Sequence, residues 1–329
     1  MDPRALIDDL LEITVVGSFS SIGYRARRAL FDWAPVAGDA LEGRTALITG
    51  PTSGLGRQAA GDLAAAGARV VLVGRNEVRL AGVRDELVAH HAEDRFPVVV
   101  ADMGSLESVR AAVGTILATE PRLDVVIDNA GAIYPERQVG PDGIEAMLAT
   151  LVIGPFALIG GLLPLLARTP GSRVIAVTSG GQYAQALDFD DLQNAEPYDG
   201  TRAYARAKRA QVSLIREWSR RLGGTGPRFD SMHPGWAATP GLAESLPSFY
   251  DTMGPILRTA AEGTDTLVWL AAGGGLDVRA GSLWLDRRPR PFDRVPMTRL
   301  SLEQRRRLWS AIVELSGLPD PAPDVVVHG

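Results

Sequence analysis

Seven short apolar runs, regularly spaced and separated by helix-patterned stretches, constrain this 329-residue chain more than anything else in it. The runs cover residues 45–49, 70–73, 97–100, 125–127, 174–177, 229–232 and 282–285, and several are nearly unbroken Val, Ile and Leu. A strand with one wet face alternates apolar and polar residues. A continuous apolar run implies burial on both faces, the condition of a parallel strand with helices above and below it. Stretches 55–66, 77–91, 106–118, 144–167, 202–222 and 260–272 fill the intervals with helical pattern. This alternation predicts an α/β fold, a doubly wound parallel sheet of about seven strands in a single domain.

The domain is expected over 44–290, with an N-terminal amphipathic arm (1–43) and a C-terminal helical extension (291–329). In the arm, Leu6, Ile7, Leu10, Leu11 and Val15 recur at helical spacing, and residues 22–33 mix Arg25, Arg27 and Arg28 with Tyr24, Leu30, Phe31 and Trp33. Such a segment suits packing on its own domain or a second subunit, or peripheral contact with a membrane surface. Asp8, Asp9 and Glu12 stand where a secretory leader needs an apolar core, so no signal peptide is expected. Stretch 146–167 is uncharged and long enough to cross a bilayer. Gly154, Pro155, Gly160, Gly161 and Pro164 interrupt it inside the alternation, so a buried helix is expected there. In the extension, a helix is expected near 302–315.

A net charge of −5 leaves no basic footprint for nucleic acid. With no cysteine there is no disulfide or thiol nucleophile, which fits a cytoplasmic location. Of the four histidines (His90, His91, His233 and His328), none has metal-site spacing, and no metal is expected.

The first apolar run leads directly into Thr49-Gly50-Pro51-Thr52-Ser53-Gly54-Leu55-Gly56 and then a helix. Glycines let the backbone turn sharply and approach a pyrophosphate, and the helix start offers unpaired N–H groups and a positive dipole end. The second run ends Gly74-Arg75-Asn76. A carboxylate at that tip would accept the ribose hydroxyls of NAD; here an arginine stands where a 2′-phosphate would lie, favouring NADP(H) over NAD(H).

Tyr204 and Lys208 lie four apart in a predicted helix and share a face. Lys208 is the only lysine, the other 33 of the 34 basic residues being arginine. With six tyrosines in 329 residues, a randomly placed lysine would follow one at this spacing in roughly 2% of cases. A compact ammonium can sit between a phenol and sugar hydroxyls where a planar guanidinium cannot, and an adjacent cation favours the phenolate.

These motifs resemble, in order from about residue 44 to 285, the short-chain dehydrogenase/reductase family of Rossmann-fold enzymes. The TGxxxGxG spacing of the turn is that family's. Asp102, followed by Met103, matches the position holding adenine, and Asp128-Asn129-Ala130-Gly131 resembles its NNAG element. Ser179 matches its catalytic serine, Pro234-Gly235 follows the sixth run, and Thr239 matches the threonine at the nicotinamide carboxamide. A narrower likeness to one branch lies in Ser179-Gly180-Gly181-Gln182 and in Ser231-Met232-His233-Pro234-Gly235-Trp236.

The resemblance implies catalytic Ser179, Tyr204 and Lys208. It implies a cofactor site at Gly50, Ser53, Gly54, Leu55, Gly56, Arg75, Asn76, Asp102, Met103, Asn129, Ala130, Gly131, Tyr204, Lys208, Pro234, Gly235 and Thr239. The reaction is then a carbonyl–alcohol interconversion, with a catalytically weak NADP(H)-binding sensor or scaffold as the alternative. Two departures stand out. Leu151 occupies the place of an asparagine that helps hold a water near the lysine, and Asp128 replaces the first asparagine of NNAG, with a backbone amide as its expected partner. Segment 239–258, holding Leu242, Leu246, Phe249, Tyr250, Met253 and Leu257, is expected as an apolar lid over an apolar substrate such as a lipid, steroid-like or terpenoid carbonyl. A homodimer or homotetramer through the 146–167 helix is expected by the same analogy.

Overall fold

The computed structural model describes residues 3–195, 197–224 and 226–323; His328 and the last residues of the Pro-rich end lie outside them. One eight-stranded sheet has the order β3-β2-β1-β4-β5-β6-β7-β8. β1 (Thr45–Thr49), β2 (Arg69–Gly74), β3 (Val98–Val100), β4 (Val125–Asp128), β5 (Arg173–Val177), β6 (Arg228–Met232) and β7 (Leu283–Leu285) are parallel. β8 (Arg288–Arg290) returns antiparallel at the edge. Its Arg-Pro-Arg sequence carries no strand signal, and an edge is where proline is tolerated in a sheet.

Helices α1 (Pro3–Ile13), α2 (Val15–Phe19) and α3 (Ser21–Leu30) precede the sheet. α4 (Gly54–Ala65), α5 (Glu77–Val88), α6 (Leu106–Thr119), α7 (Ala146–Leu148), α8 (Gly154–Ala167) and α9 (Gly200–Leu222) follow. The series closes with α10 (Pro240–Ser245), α11 (Pro247–Met253), α12 (Ala260–Ala271) and α13 (Leu302–Ser316). The side-chain period of 2 divides the strands between two cores. Leu47, Val71, Val126 and Val174 face α6, α8 and α9. Ala46, Ile48, Val70, Leu72 and Ile175 face α4, α5 and α12.

The apolar stretch 146–167 is largely buried in the first of these cores, broken into α7, a π-turn at Ala149–Ile153, and α8. A Cβ on Gly161 would come within 2.8 Å of Val113, so glycine there lets α8 approach α6 closely. The other side of α8 is covered from within the chain. Trp309 of α13 meets Phe156 at 5.0 Å and Trp218 at 4.7 Å, and Pro321 lies over Gly160. The homodimer or homotetramer expectation rested on analogy and on this uncharged helix, one side of which α13 covers from within the chain.

The N-terminal arm packs on its own domain through ionised groups. Arg27, fully buried, donates to Asp8 (2.7 Å), Glu12 (3.0 Å) and Asp286 (2.7 Å). Asp286 also accepts two bonds from Arg258, at 2.6 and 2.9 Å. Arg290 reaches both oxygens of Asp8, and Arg294 bonds Glu12. Asp286 and Arg287 form the two-residue β7–β8 turn, both in left-handed backbone, at φ 55° and 53°. That conformation costs a bulky residue on the order of 1 kcal/mol. It is held by the two arginines on Asp286 and by the Arg287–Asp265 pair at 2.7 Å.

Burial alone would raise the carboxyl pKa of Asp8 and Asp286, but arginines outweigh it (Arg290 and Arg27 at Asp8, Arg258 and Arg27 at Asp286) and hold both below the usual range. A carboxyl lowered on folding contributes stability above its unfolded pKa and loses it as pH falls through the folded value. Urea denaturation between pH 3 and 7 is expected to show stability falling once pH drops below about 4. Asp286→Asn, which leaves Arg27 and Arg258 buried without that counter-charge, is expected to cost about 3–5 kcal/mol at pH 7 and to flatten the acid slope. Trp309→Ala is expected to cost about 3–5 kcal/mol by the same assay, and sedimentation should show whether opening the α8 face promotes self-association.

Candidate active site

Strand order reverses between β1 and β4, so the connections leaving their carboxyl ends diverge and open a crevice there. The glycine turn enters it from β1 and Asn129–Gly131 from β4. Gly50 is left-handed (φ 68°), and a Cβ on it would lie 2.9 Å from the Cα of Ala130. A Cβ on Gly56 would lie 2.1 Å from the Gly50 carbonyl oxygen. Asn129 Nδ2 donates to the carbonyls of Thr49 (2.9 Å) and Gly50 (3.2 Å). Thr49 Oγ1 accepts the N–H groups of Asn129 and Ala130, at 3.0 and 2.9 Å. The turn is thus fixed from behind. Ser53 at the N-cap of α4 makes no side-chain cap bond, leaving the first-turn N–H groups around Gly54 and Leu55 to an anion. A dinucleotide pyrophosphate fits this cradle.

The other expected cofactor positions lie in the connections that follow β2, β3 and β6. Arg75 is exposed at the tip of β2 and makes no hydrogen bond or ion pair among the described residues. The Asn76 side chain caps α5 by accepting from Arg79 N at 2.9 Å, so its carbonyl oxygen is already engaged. Asp102 Oδ1 accepts from Gly104 N at 2.8 Å, and the Met103 side chain is buried in the core. Thr239 caps α10 through Leu242 N and lies against Gly54, whose Cβ would be 3.2 Å away. Pro234 is buried, and Gly235 (φ 72°) allows close approach of Arg258 and the Phe19 carbonyl.

Tyr204 and Lys208 come together as the spacing predicts, and Ser179, implied by the resemblance, lies beside them. Ser179 follows β5; its Oγ accepts from Gly181 N at 3.2 Å, and its hydroxyl lies close enough to the Tyr204 phenol to act on that group's pKa. Lys208, on the same face of α9, lies 6.0 Å from the centroid of the Tyr204 ring. It is buried and donates to the Val177 carbonyl (2.8 Å) and to Gln211 Oε1 (3.2 Å). The expected lowering of the tyrosine pKa by its lysine is not seen in this arrangement. Burial raises Tyr204, and the nearby Ser179 hydroxyl opposes it only in part. Burial also brings Lys208 down to about 8, against the pull of Asp128.

Asp128 is fully enclosed at the end of β4. Its partner is a side chain rather than the expected backbone amide: Gln211 Nε2 donates to Oδ2 at 2.6 Å, and Oδ1 has no protein partner. Burial raises this carboxyl to about 6, with Lys208 and Gln211 acting the other way. Gln211 escaped the sequence reading. Its signal was present, since it lies three residues after Lys208 and so shares its face of α9. Leu151 is buried in the π-turn against Gly131, where it can hold no water.

The crevice wall includes a residue that no local pattern indicates. Phe19, from the arm, packs against Gly180, beside Ser179, and edge-on to His233 at 4.7 Å. Its carbonyl accepts from Trp236 N (2.8 Å) and from Arg258 Nε (3.0 Å). Burial, and then Arg258, depress His233 to about 3, so it is a neutral packing group. Segment 239–258 forms α10, α11 and a short 3-10 turn, with Phe249 edge-on to Trp236 at 5.2 Å. A separate groove of about 540 Å³, between Trp33, Val36 and Trp269, shares no residue with the Ser179–Tyr204–Lys208 group.

Known proteins agree with this geometry. Residues 44–248 match the short chain dehydrogenase family. Dehydrogenase/reductase SDR family member 12 of Homo sapiens is 36% identical over 251 residues, covering 76% of this chain and 78% of that protein. Retinol dehydrogenase 14 of Mus musculus is 34% identical over 264 residues, covering 75% and 78%. A solved short chain dehydrogenase from Escherichia coli, complexed with NADPH, aligns with a TM-score of 0.60 at 25% identity over 75% of this chain and 98% of that one. This chain therefore belongs to the short-chain dehydrogenase/reductase family, NAD(P)-dependent oxidoreductases acting on CH–OH groups.

Proposed function

We propose that the protein interconverts an apolar ketone or aldehyde and its alcohol using NADP(H), with Tyr204 as the general acid–base. The observation that carries this reading is the chain's single lysine, buried and 6.0 Å from the Tyr204 ring, with the Ser179 hydroxyl acting on the same phenol. The nicotinamide, when bound, supplies or accepts the hydride. Tyr204 gives its phenolic proton to the substrate oxygen on reduction and takes it back on oxidation. Ser179 holds that oxygen and stabilises the charge that develops on it. Lys208 supplies the positive charge that favours the phenolate once the nicotinamide ribose lies between them.

The preference for the phosphorylated cofactor rests on Arg75, an unpaired guanidinium where a ribose-binding carboxylate would stand, and on Gly74, which supplies no acid. The apolar substrate class rests on segment 239–258, the proposed lid, whose Leu242, Leu246, Phe249, Tyr250 and Met253 are all half-buried. The likeness to a retinol dehydrogenase supports the same class. Titration of NADPH and NADH, followed by tryptophan fluorescence, is expected to show tighter NADPH binding, and Arg75→Asp to erase the difference. Equal affinities in the unaltered chain would refute the preference. With an apolar carbonyl substrate, Tyr204→Phe is expected to lower kcat by about 10²–10⁴ while NADPH still binds.

The arm supports a second contact. Leu6, Leu10, Ile13, Val15, Val16 and Ile22 are each about half or more exposed, with Ile13 at 77%. We infer that this face rests on a lipid surface. The full chain is expected to co-sediment with liposomes, and Leu10→Glu with Ile13→Glu to release it; equal partitioning of both would refute the contact.

A further inference from the structure

Lys208 presents an unusual problem. It is the chain's only primary ammonium side chain, it is 3% exposed, and burial works against its charge. A buried ammonium holds its proton only if something nearby pays the desolvation cost. Val177 offers a carbonyl dipole, and Gln211 offers another through Oε1. Neither carries a charge. The one charged group acting on Lys208 among the described residues is Asp128, at the end of β4. Tyr204 is the other titratable group beside it.

The three side chains are joined in one line. Gln211 accepts from Lys208 with its oxygen and donates to Asp128 with its nitrogen, so a single amide spans cation and carboxylate and fixes which way it faces. An amide in this orientation conducts no proton. It positions the two charges and lets them act on each other through a low-dielectric interior. Position 151 contributes nothing polar, since its leucine is buried on Gly131.

The geometry points to Asp128 as the counter-charge that keeps Lys208 protonated in the working site, with Gln211 as the positioning residue that holds the pair in register. This deepens the proposed role of Lys208 and rests on it. The pair gives the chain its own means of maintaining the cation where the family pattern has an asparagine at position 151. Asp128→Asn keeps shape and the acceptor for Gln211 but removes the charge. Lys208 is then left as a buried ammonium without compensation, and its pKa falls towards neutrality.

Because the chain has a single lysine, selective ¹³C,¹⁵N-lysine labelling yields one side-chain signal, which can be titrated in cofactor-free protein. In the unaltered protein Lys208 is expected to titrate near 8, with a smaller displacement near pH 6 as Asp128 takes up a proton. Asp128→Asn is expected to abolish the displacement near pH 6 and to lower the main midpoint by a unit or more, and Gln211→Met to lower it by less. In NADPH turnover, the alkaline limb of the kcat/KM profile should move down by the same amount in Asp128→Asn. A Lys208 midpoint within 0.3 unit of the unaltered value in Asp128→Asn overturns the proposal (a shift of that size is about 0.4 kcal/mol). So does the absence of the step near pH 6 in the unaltered chain, which needs no variant to fold. If the midpoint falls as expected but Tyr204→Phe retains full activity, the electrostatic pair stands and the catalytic reading of the site fails instead.

Discussion

The carboxylate of Asp286 is the tie on which the arrangement of this molecule depends. It sits at the β7–β8 turn in a backbone conformation that non-glycine residues seldom adopt, and its two oxygens take bonds from Arg27 of the arm and Arg258 at the end of the segment after β6. Three regions distant in sequence therefore share one anion. The geometry leaves little slack, because a buried carboxylate is tolerable only while its donors remain in place. Phe19 reaches the crevice because Ser18, whose carbonyl accepts from both arginines, is held there. The crevice wall and the edge of the sheet are in this sense one construction.

A second buried charge arrangement, at the other functional end, works differently. Around Asp286 the ions are numerous and all are arginine or carboxylate. Around Lys208 there is one cation, one carboxylate and one amide between them. Arginine keeps its charge almost regardless of surroundings, which suits a clamp. Lysine shifts readily on burial, which suits a site whose protonation is to be adjusted. The chain separates the two uses completely, with arginine at 33 basic positions and lysine at one.

The strands and the helices between them were legible because their signals are local: near-continuous Val, Ile and Leu at β2, β4 and β5, and glycine spacing at the turn after β1. The Tyr204–Lys208 pair was legible for the same reason, four residues being one helical turn. Phe19 was not, since its contact with Gly180 joins residues 161 apart and nothing in a stretch of Ser, Phe and Val announces it. β8 was hidden by proline and arginine. The self-covering of α8 was hidden because an uncharged helix reads the same whether a second subunit or Trp309 lies against it. Gln211 was hidden differently: its position was readable, but its partner, Asp128, lies 83 residues away.

The clamp also bears on the order in which the chain acquires its structure. Arg27 and Asp286 are 259 residues apart, so a ribosome has released nearly the whole chain before they can meet. Until then the arm has nothing to dock on, and Asp8, Glu12 and Arg27 remain hydrated while strands of low sequence separation assemble first. The N-terminus, though made first, cannot complete its docking until Asp286 has been made, and the contact of Phe19 with Gly180 is set by that same docking.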